Sequence, residues 1–208
     1  MKTAPNPLAA QLALDCSFGG LSLGLRANGK LYSRQVAEAR ASDKLLPLLA
    51  EILAEAQTPA TVISQVIVTV GPGSFTGIRL GLAVAQGLKL ANPELDIIGI
   101  STLTALAAQV SSDTPFTLLL DAAGGQVYRQ DFKSDGTPLS KPACGPLAGL
   151  KKLQKTIAVQ SGLLAPFPTQ QTLTAANPET LLGLISQPAL HLPPQPFYLK
   201  ALAYKQVA

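Results

Sequence analysis

Charge is scarce in this 208-residue sequence: charged residues make up 13% of it, against 47% hydrophobic. Disorder needs the opposite balance, so that class is excluded. Histidine occurs once, as His191 in a proline-rich stretch, which excludes a His-based metal site or a His-containing catalytic triad built from this chain. The two cysteines, Cys16 and Cys144, lack metal-ligand spacing and are too few for a disulfide framework. No run reaches the roughly 18 consecutive apolar residues that a membrane-spanning helix needs. The weak apolar stretch at 8–14 is broken by Gln11 and has no small-residue cleavage site after it, so a cytoplasmic chain without membrane attachment is expected. What remains is a chain with too much apolar surface for its few charges, and that surface must be covered from inside the fold or from outside it.

The net charge of +4 is uneven. Residues 1–135 hold ten basic side chains against eleven acidic ones, whereas 136–208 hold six lysines against Glu179 alone. A basic second half can meet a phosphate backbone. Only Lys151, Lys152 and Lys155 cluster, however, and no aromatics interleave with them, so solvated lysines explain the pattern as well as RNA contact does.

Along the chain, 12–15 opens a strand and 21–26 and 30–37 form a hairpin around Asn28-Gly29, a type I′ turn signal. A helix is expected over 42–56, with Pro47 in its first turn, where a missing N–H costs least. The β-branched run 66–70 reads as a buried parallel strand. A glycine-rich turn and a long helix to Ala91 follow, then a strand at 97–100 and a helix at 102–110. A second set begins after 111–113: a strand at 116–121 ending in Asp121, a turn at Gly124-Gly125, and a strand at 126–132. The openings A-L-D-C-S-F-G-G and L-L-D-A-A-G-G-Q look like a degenerate internal repeat, so the reading is α/β with mixed sheets, in two units, 1–110 and a reduced 111–208. From Pro138 onward ten prolines interrupt the chain, leaving short pieces at 157–160 and 178–185 and an extended tail.

The segment Gly71-Pro72-Gly73-Ser74-Phe75-Thr76-Gly77 sits between a buried strand and a helix. Glycines there permit left-handed or closely approached backbone, and Ser74 can cap the helix. With Thr76 at the helix start, the segment reads either as a structural turn or as an anion- or nucleotide-facing one built from Gly71, Gly73, Ser74 and Thr76. It is not a Walker loop, because no Gly-Lys-Ser/Thr follows. Asp15 and Asp121, at strand ends, either cap turns or hold a metal–nucleotide complex. Cys16, with no histidine base, is a small buried hydrophobe.

Both long helices carry too few polar positions for an ordinary surface helix. In 42–56, Lys44, Glu51 and Glu55 share one stripe, and leucines and Ile52 cover most of the rest. In 75–91, Arg79 and Gln86 share a face, and Gly77, Gly81 and Ala85 recur every four residues, a stripe admitting close backbone approach. A partner surface made from Leu45, Leu46, Leu49, Ile52 and Leu53, together with Gly77, Ile78, Gly81, Leu82 and Ala85, is therefore expected. The competing reading makes both helices plain core.

The segment G-P-G-S-F-T-G-I-R-L-G resembles that of the TsaB family of bacterial tRNA threonylcarbamoyladenosine proteins. Asp15-Cys16-Ser17 stands at the family's D-T-S, Leu45-Leu46-Pro47 at its L-L-P, and Gly81-Leu82-Ala83-Val84-Ala85-Gln86-Gly87-Leu88 at its G-L-A-x-A-x-G-L. A second-half motif survives in weakened form from Asp121 to Tyr128, with Ala123 and Gln126 where Arg and Glu are usual; Ala41 replaces a common histidine. The resemblance implies two RNase-H-like halves of the actin-like ATPase superfamily. It implies a TsaD-like catalytic partner docked on the first two helices, a TsaE-like ATPase in the assembled complex, tRNA contacted indirectly, and self-association when the partner is absent. ATP and metal would then be held by partner subunits, with none bound by this chain alone. The catalytic relative's H-x-x-x-H metal ligands align with Thr102 and Leu106, so this chain is expected to be noncatalytic. The alternative is an ATP-binding transferase or hydrolase of the same superfamily, using Asp15, Asp121 and the glycine turn.

Overall fold

Asn28 and Gly29 both take positive φ, 52° and 72°, as a type I′ turn requires, and close the hairpin between strands β2 (Gly20–Ala27) and β3 (Lys30–Ala37). The computed structural model describes residues 10–18, 20–37, 41–150, 156–158, 171–173 and 175–199. Strand β1 (Ala10–Asp15) pairs antiparallel with β2, Leu12 opposite Leu25 and Leu14 opposite Leu23. Strands β4 (Ile63–Gly71) and β5 (Asp96–Ser101) add in parallel, giving the order β3-β2-β1-β4-β5.

Helices α1 (Ala41–Glu55) and α2 (Phe75–Ala91) cover one face of this sheet. The other face meets α3 (Thr102–Ala107), α4 (Pro178–Leu184) and a second sheet of β6 (Phe116–Asp121), β7 (Gln126–Phe132), β8 (Ala143–Pro146) and β9 (Thr156–Ala158). The strands β1, β2 and β4 are thus buried on both sides, whereas the edge strand β3 is exposed or half-buried throughout. Leu12, Leu14, Val66 and Val68 pack toward α1 and α2, while Ala13 and Ile67 pack toward α3 and α4. Burial on both faces is why β4 reads as a continuous apolar run rather than an alternating one.

The second sheet runs β8-β7-β6-β9, with β6–β7 and β7–β8 antiparallel and β6–β9 parallel. That repeats the order β3-β2-β1-β4 strand for strand, so the sequence repeat at Asp15 and Asp121 marks two equivalent openings and the fold is the expected α/β pair of halves. The sheets divide near residue 110, but the chain crosses back afterwards. The Ala176 N–H donates to Asp15 Oδ2 at 3.0 Å, and Gly99 and Leu192 exchange backbone hydrogen bonds of 3.0 and 2.9 Å. One core spans both halves.

Three local expectations need correction. Pro47 lies in the second turn of α1, not the first, because the helix already starts at Ala41; the prolyl ring is exposed, so the carbonyl it leaves unbonded can take water. Helix α3 stops at Ala107 rather than 110: Gln109 and Val110 donate three residues back, to Leu106 and Ala107, tightening the last turn. Strand β8 has no β-branched residue to announce it and exists through its pairing with β7. Of the piece expected at 157–160, the backbone at 156–158 is a strand, and 159–160 lie outside the described residues, as do Lys151, Lys152 and Lys155.

Candidate functional site

The glycine-rich turn is filled by the chain's own backbone. Gly71 and Gly73 have φ of 113° and 153°, and a Cβ on Gly73 would collide with the Ser17 carbonyl oxygen. The Ser74 N–H donates to that same oxygen at 2.6 Å, and the Gly77 N–H donates to Ser74 Oγ at 3.1 Å. Ser74 is therefore the N-cap, and the positive end of α2 faces the carbonyls of 16–17. Gly71 is closed over by the Phe197 carbonyl, while Thr76 is exposed. This geometry favours the structural reading of the four turn residues over the anion-facing one.

Asp15 is similarly committed. Its carboxylate is 1% exposed; Oδ1 accepts from the Ser17 N–H at 2.9 Å, from Ser17 Oγ at 2.6 Å and from Thr69 Oγ1 at 2.7 Å. With Ala176 on Oδ2, four donors satisfy it and join β1, β4 and the approach to α4. Asp121 is half-buried and accepts the Ala123 N–H at 2.7 Å, a turn cap.

Both openings border a cleft of about 280 Å³ lined by Ser17, Phe18, Gly73, Ser74, Asp121, Ala122, Ala123 and Tyr128. Among the described residues the lining includes a carboxylate and no lysine or arginine, so these residues do not offset phosphate charge. Burial, with Cys144 and Asp121 close by, pushes the Tyr128 phenol above its usual range, which keeps it neutral at physiological pH. Thr102 and Leu106, the positions that the resemblance sets against the catalytic relative's metal ligands, are both buried, and among the described residues no three His, Cys, Asp or Glu side chains gather as ligands.

Cys16 is buried, with its thiol pushed up to about 12 by burial and then by Asp15. Iodoacetamide at pH 8 should accordingly leave Cys16 unmodified in the folded protein and label it on unfolding; mass spectrometry of the two digests checks this. Rapid labelling of native Cys16 would contradict the burial.

The sequence-predicted partner residues mostly face inward. Leu45, Leu49, Ile52, Ile78, Leu82 and Ala85 are each 5% exposed or less, and Gly77 and Gly81 are buried too. The small-residue stripe does admit a close backbone at Gly77, but that backbone is the chain's own, the Cys16 carbonyl; Gly81 lies against the Val68 side chain. These eight cannot touch a partner without leaving the core. Of the ten, only Leu46, 59% exposed, and half-buried Leu53 are accessible.

The outward face is a different set, in which apolar positions are interspersed with Lys44, Glu51, Glu55, Arg79, Gln86 and Lys89. On α1 it adds Pro47 and Ala50 to Leu46 and Leu53; on α2 it comprises Ala83, Gly87 and Leu90, with Leu80, Val84 and Leu88 half-buried beside them. Leu90 is 87% exposed and borders a groove of about 510 Å³ with Gln86, Lys89 and Pro93. The excess of apolar positions around each helix was the available signal; the side that stays bare is decided by the sheet.

Residues 34–170 match the family described as "TsaD: tRNA N6-adenosine threonylcarbamoyltransferase". The protein named tRNA threonylcarbamoyladenosine biosynthesis protein TsaB from Haemophilus influenzae is 30% identical over 167 residues, covering 73% of this chain and 70% of that one. Its namesake from Escherichia coli is 33% identical over 128 residues, 60% of this chain, and the match spans 55% of that relative's length. The solved structure "YeaZ from Pseudomonas aeruginosa" superposes with a TM-score of 0.75 at 22% identity, over 92% of this chain and all of that one. A second Pseudomonas aeruginosa structure, described as an uncharacterized protein with similarity to peptidase YEAZ, gives 0.76 over the same shares. Family match, fold and the paired sheet openings agree, and the chain belongs to the TsaB family.

Proposed function

We propose that this chain is the noncatalytic scaffold subunit of a tRNA threonylcarbamoyladenosine modification complex, and that it docks a TsaD-like threonylcarbamoyltransferase on the outward faces of α1 and α2. One observation carries the reading: two adjacent helices leave Leu46 and Leu90 59% and 87% exposed above an already complete core. Apolar positions that recur across two neighbouring helices and that the fold itself does not need suit a surface completed by another polypeptide. In this reading a TsaE-like ATPase joins the assembled complex, tRNA is met through the partner, and the same face pairs two copies when the partner is absent.

The alternative, an ATP-using transferase or hydrolase, asks for a free carboxylate and a free phosphate cradle. Asp15 has given its oxygens to four donors, and among the described residues the cleft beside it carries Asp121 without a compensating cation. Both features favour a chain that binds no nucleotide or metal alone. The test is a size-exclusion run of the chain with and without its TsaD-like partner, together with calorimetric titration of the isolated chain with ATP and Mg²⁺. A co-eluting complex and a flat titration are expected. No complex, with heat of binding and turnover by the isolated chain, would transfer the assignment to the enzyme.

A further inference from the structure

Two exposed cations have simple partners: Arg34 pairs with Glu55, and Lys89 donates to the Leu95 carbonyl. Arg79, on the outward face of α2, is held differently. Its guanidinium carbon lies 3.7 Å from the centroid of the Phe75 ring, and its Nε donates to the Tyr198 hydroxyl at 3.1 Å. Tyr198 stacks on Phe75 with ring centroids 5.4 Å apart, and is delivered there by Phe197, whose N–H donates to the Val70 carbonyl at 2.7 Å. Two aromatic rings therefore fix the plane of the fork, although all three side chains remain exposed.

No described carboxylate reaches this fork. The Arg34–Glu55 pair is the one salt bridge among the described residues, and 75–91 contains no acid at all. One of five N–H donors serves Tyr198, and the geometry of the rest suits a carboxylate taken through two parallel bonds. Arg79 also continues, through Ala83, Gln86 and Leu90, into the apolar ridge and its groove. A nucleic-acid backbone would satisfy the arginine and leave that ridge bare; a protein surface covers both.

We infer that Arg79 is the anchor of the docking face, receiving a carboxylate from the segment of the catalytic partner that covers α2, and that Phe75 and Tyr198 are its positioning residues. The inference rests on the docking reading above. Because the fork is immobilised before contact, little side-chain freedom is lost on binding.

The experiment measures Kd for the TsaD-like partner with the full chain and with Arg79→Gln, Arg79→Lys, Tyr198→Phe, Tyr198→Phe/Arg79→Gln and Leu90→Asp, each checked by thermal melting. Arg79→Gln should raise Kd roughly 30-fold, since it strands a covered carboxylate on the partner. Arg79→Lys should raise it roughly 10-fold, because an ammonium keeps the charge and loses the fork. Tyr198→Phe should cost about threefold in the unchanged chain and nothing on top of Arg79→Gln, the non-additivity expected of a residue acting through another. A normal Kd for Arg79→Gln beside a lost complex for Leu90→Asp overturns the anchor and leaves the docking face standing. Absence of any complex with the unchanged chain overturns both. Weakened tRNA binding by Arg79→Gln at an unchanged partner Kd overturns it in favour of a phosphate ligand.

Discussion

Leu46→Asp combined with Leu90→Asp should abolish co-elution with the TsaD-like subunit while shifting the thermal midpoint by no more than about 2 °C. The two leucines lie outside the core at 59% and 87% exposure, so exchanging them costs the isolated chain little, within about 0.5 kcal/mol each. In a complex the same positions would be sealed from water, and each carboxylate would have to be desolvated without a partner. Even a penalty of about 2 kcal/mol apiece, well below the range for burying an unpaired charge, weakens Kd by about a thousandfold.

The control is as informative as the variant. Leu49→Asp and Gly81→Arg lie on the same two helices, but Leu49 is 5% exposed and a Cβ on Gly81 would already sit 3.2 Å from Val68 Cγ2. Both should unfold the chain, and loss of binding in either says nothing about the interface. Wild-type affinity in the outward double variant would remove the docking face. The isolated chain supplies a second readout, since the double variant should also elute as monomer under conditions where the unchanged chain pairs with itself.

Most strands and helices, β8 excepted, were legible because their signals are local. Asn28-Gly29 fixes a turn by its need for positive φ, and Ser74 caps α2 with its own side chain. The pairing of the two sheets followed from Asp15 and Asp121, each at the end of an apolar strand. The direction each long helix faces was not legible. Apolar residues surround most of α1 and α2, so periodicity could not separate Leu45 from Leu46, or Leu82 from Leu90. The glycine stripe correctly announced a close backbone and left its owner open; the owner is Cys16, 61 residues upstream of Gly77. The Arg79–Tyr198 bond spans 119 residues, and the bond from Ala176 to Asp15 spans 161. No local pattern records contacts of that range.

That last contact carries a large stability effect of its own. Asp15→Ala leaves the Ser17 N–H and hydroxyl, the Thr69 hydroxyl and the Ala176 N–H without their acceptor, in a site 1% open to water. Hydrogen bonds to a charged group contribute about 1.5–3 kcal/mol each; the four share one carboxylate and do not add, so a loss of about 4–5 kcal/mol is expected. Against a total stability of about 5–15 kcal/mol, that should lower the melting midpoint by roughly 10 °C or more. Asp15→Asn is the sharper test. Its carbonyl oxygen can keep the three donors on the Oδ1 side, but its amide then opposes the Ala176 N–H, donor against donor, for about 2 kcal/mol. Hydrogen exchange should consequently rise first at Ala176 and α4, where the second half is tied back onto the first sheet. A metal–nucleotide role for Asp15 predicts the reverse, with turnover lost and melting unchanged in Asp15→Asn. Calorimetric melting of the two variants separates these outcomes, and an unshifted midpoint for Asp15→Asn would show that the carboxylate is not the tie between the halves.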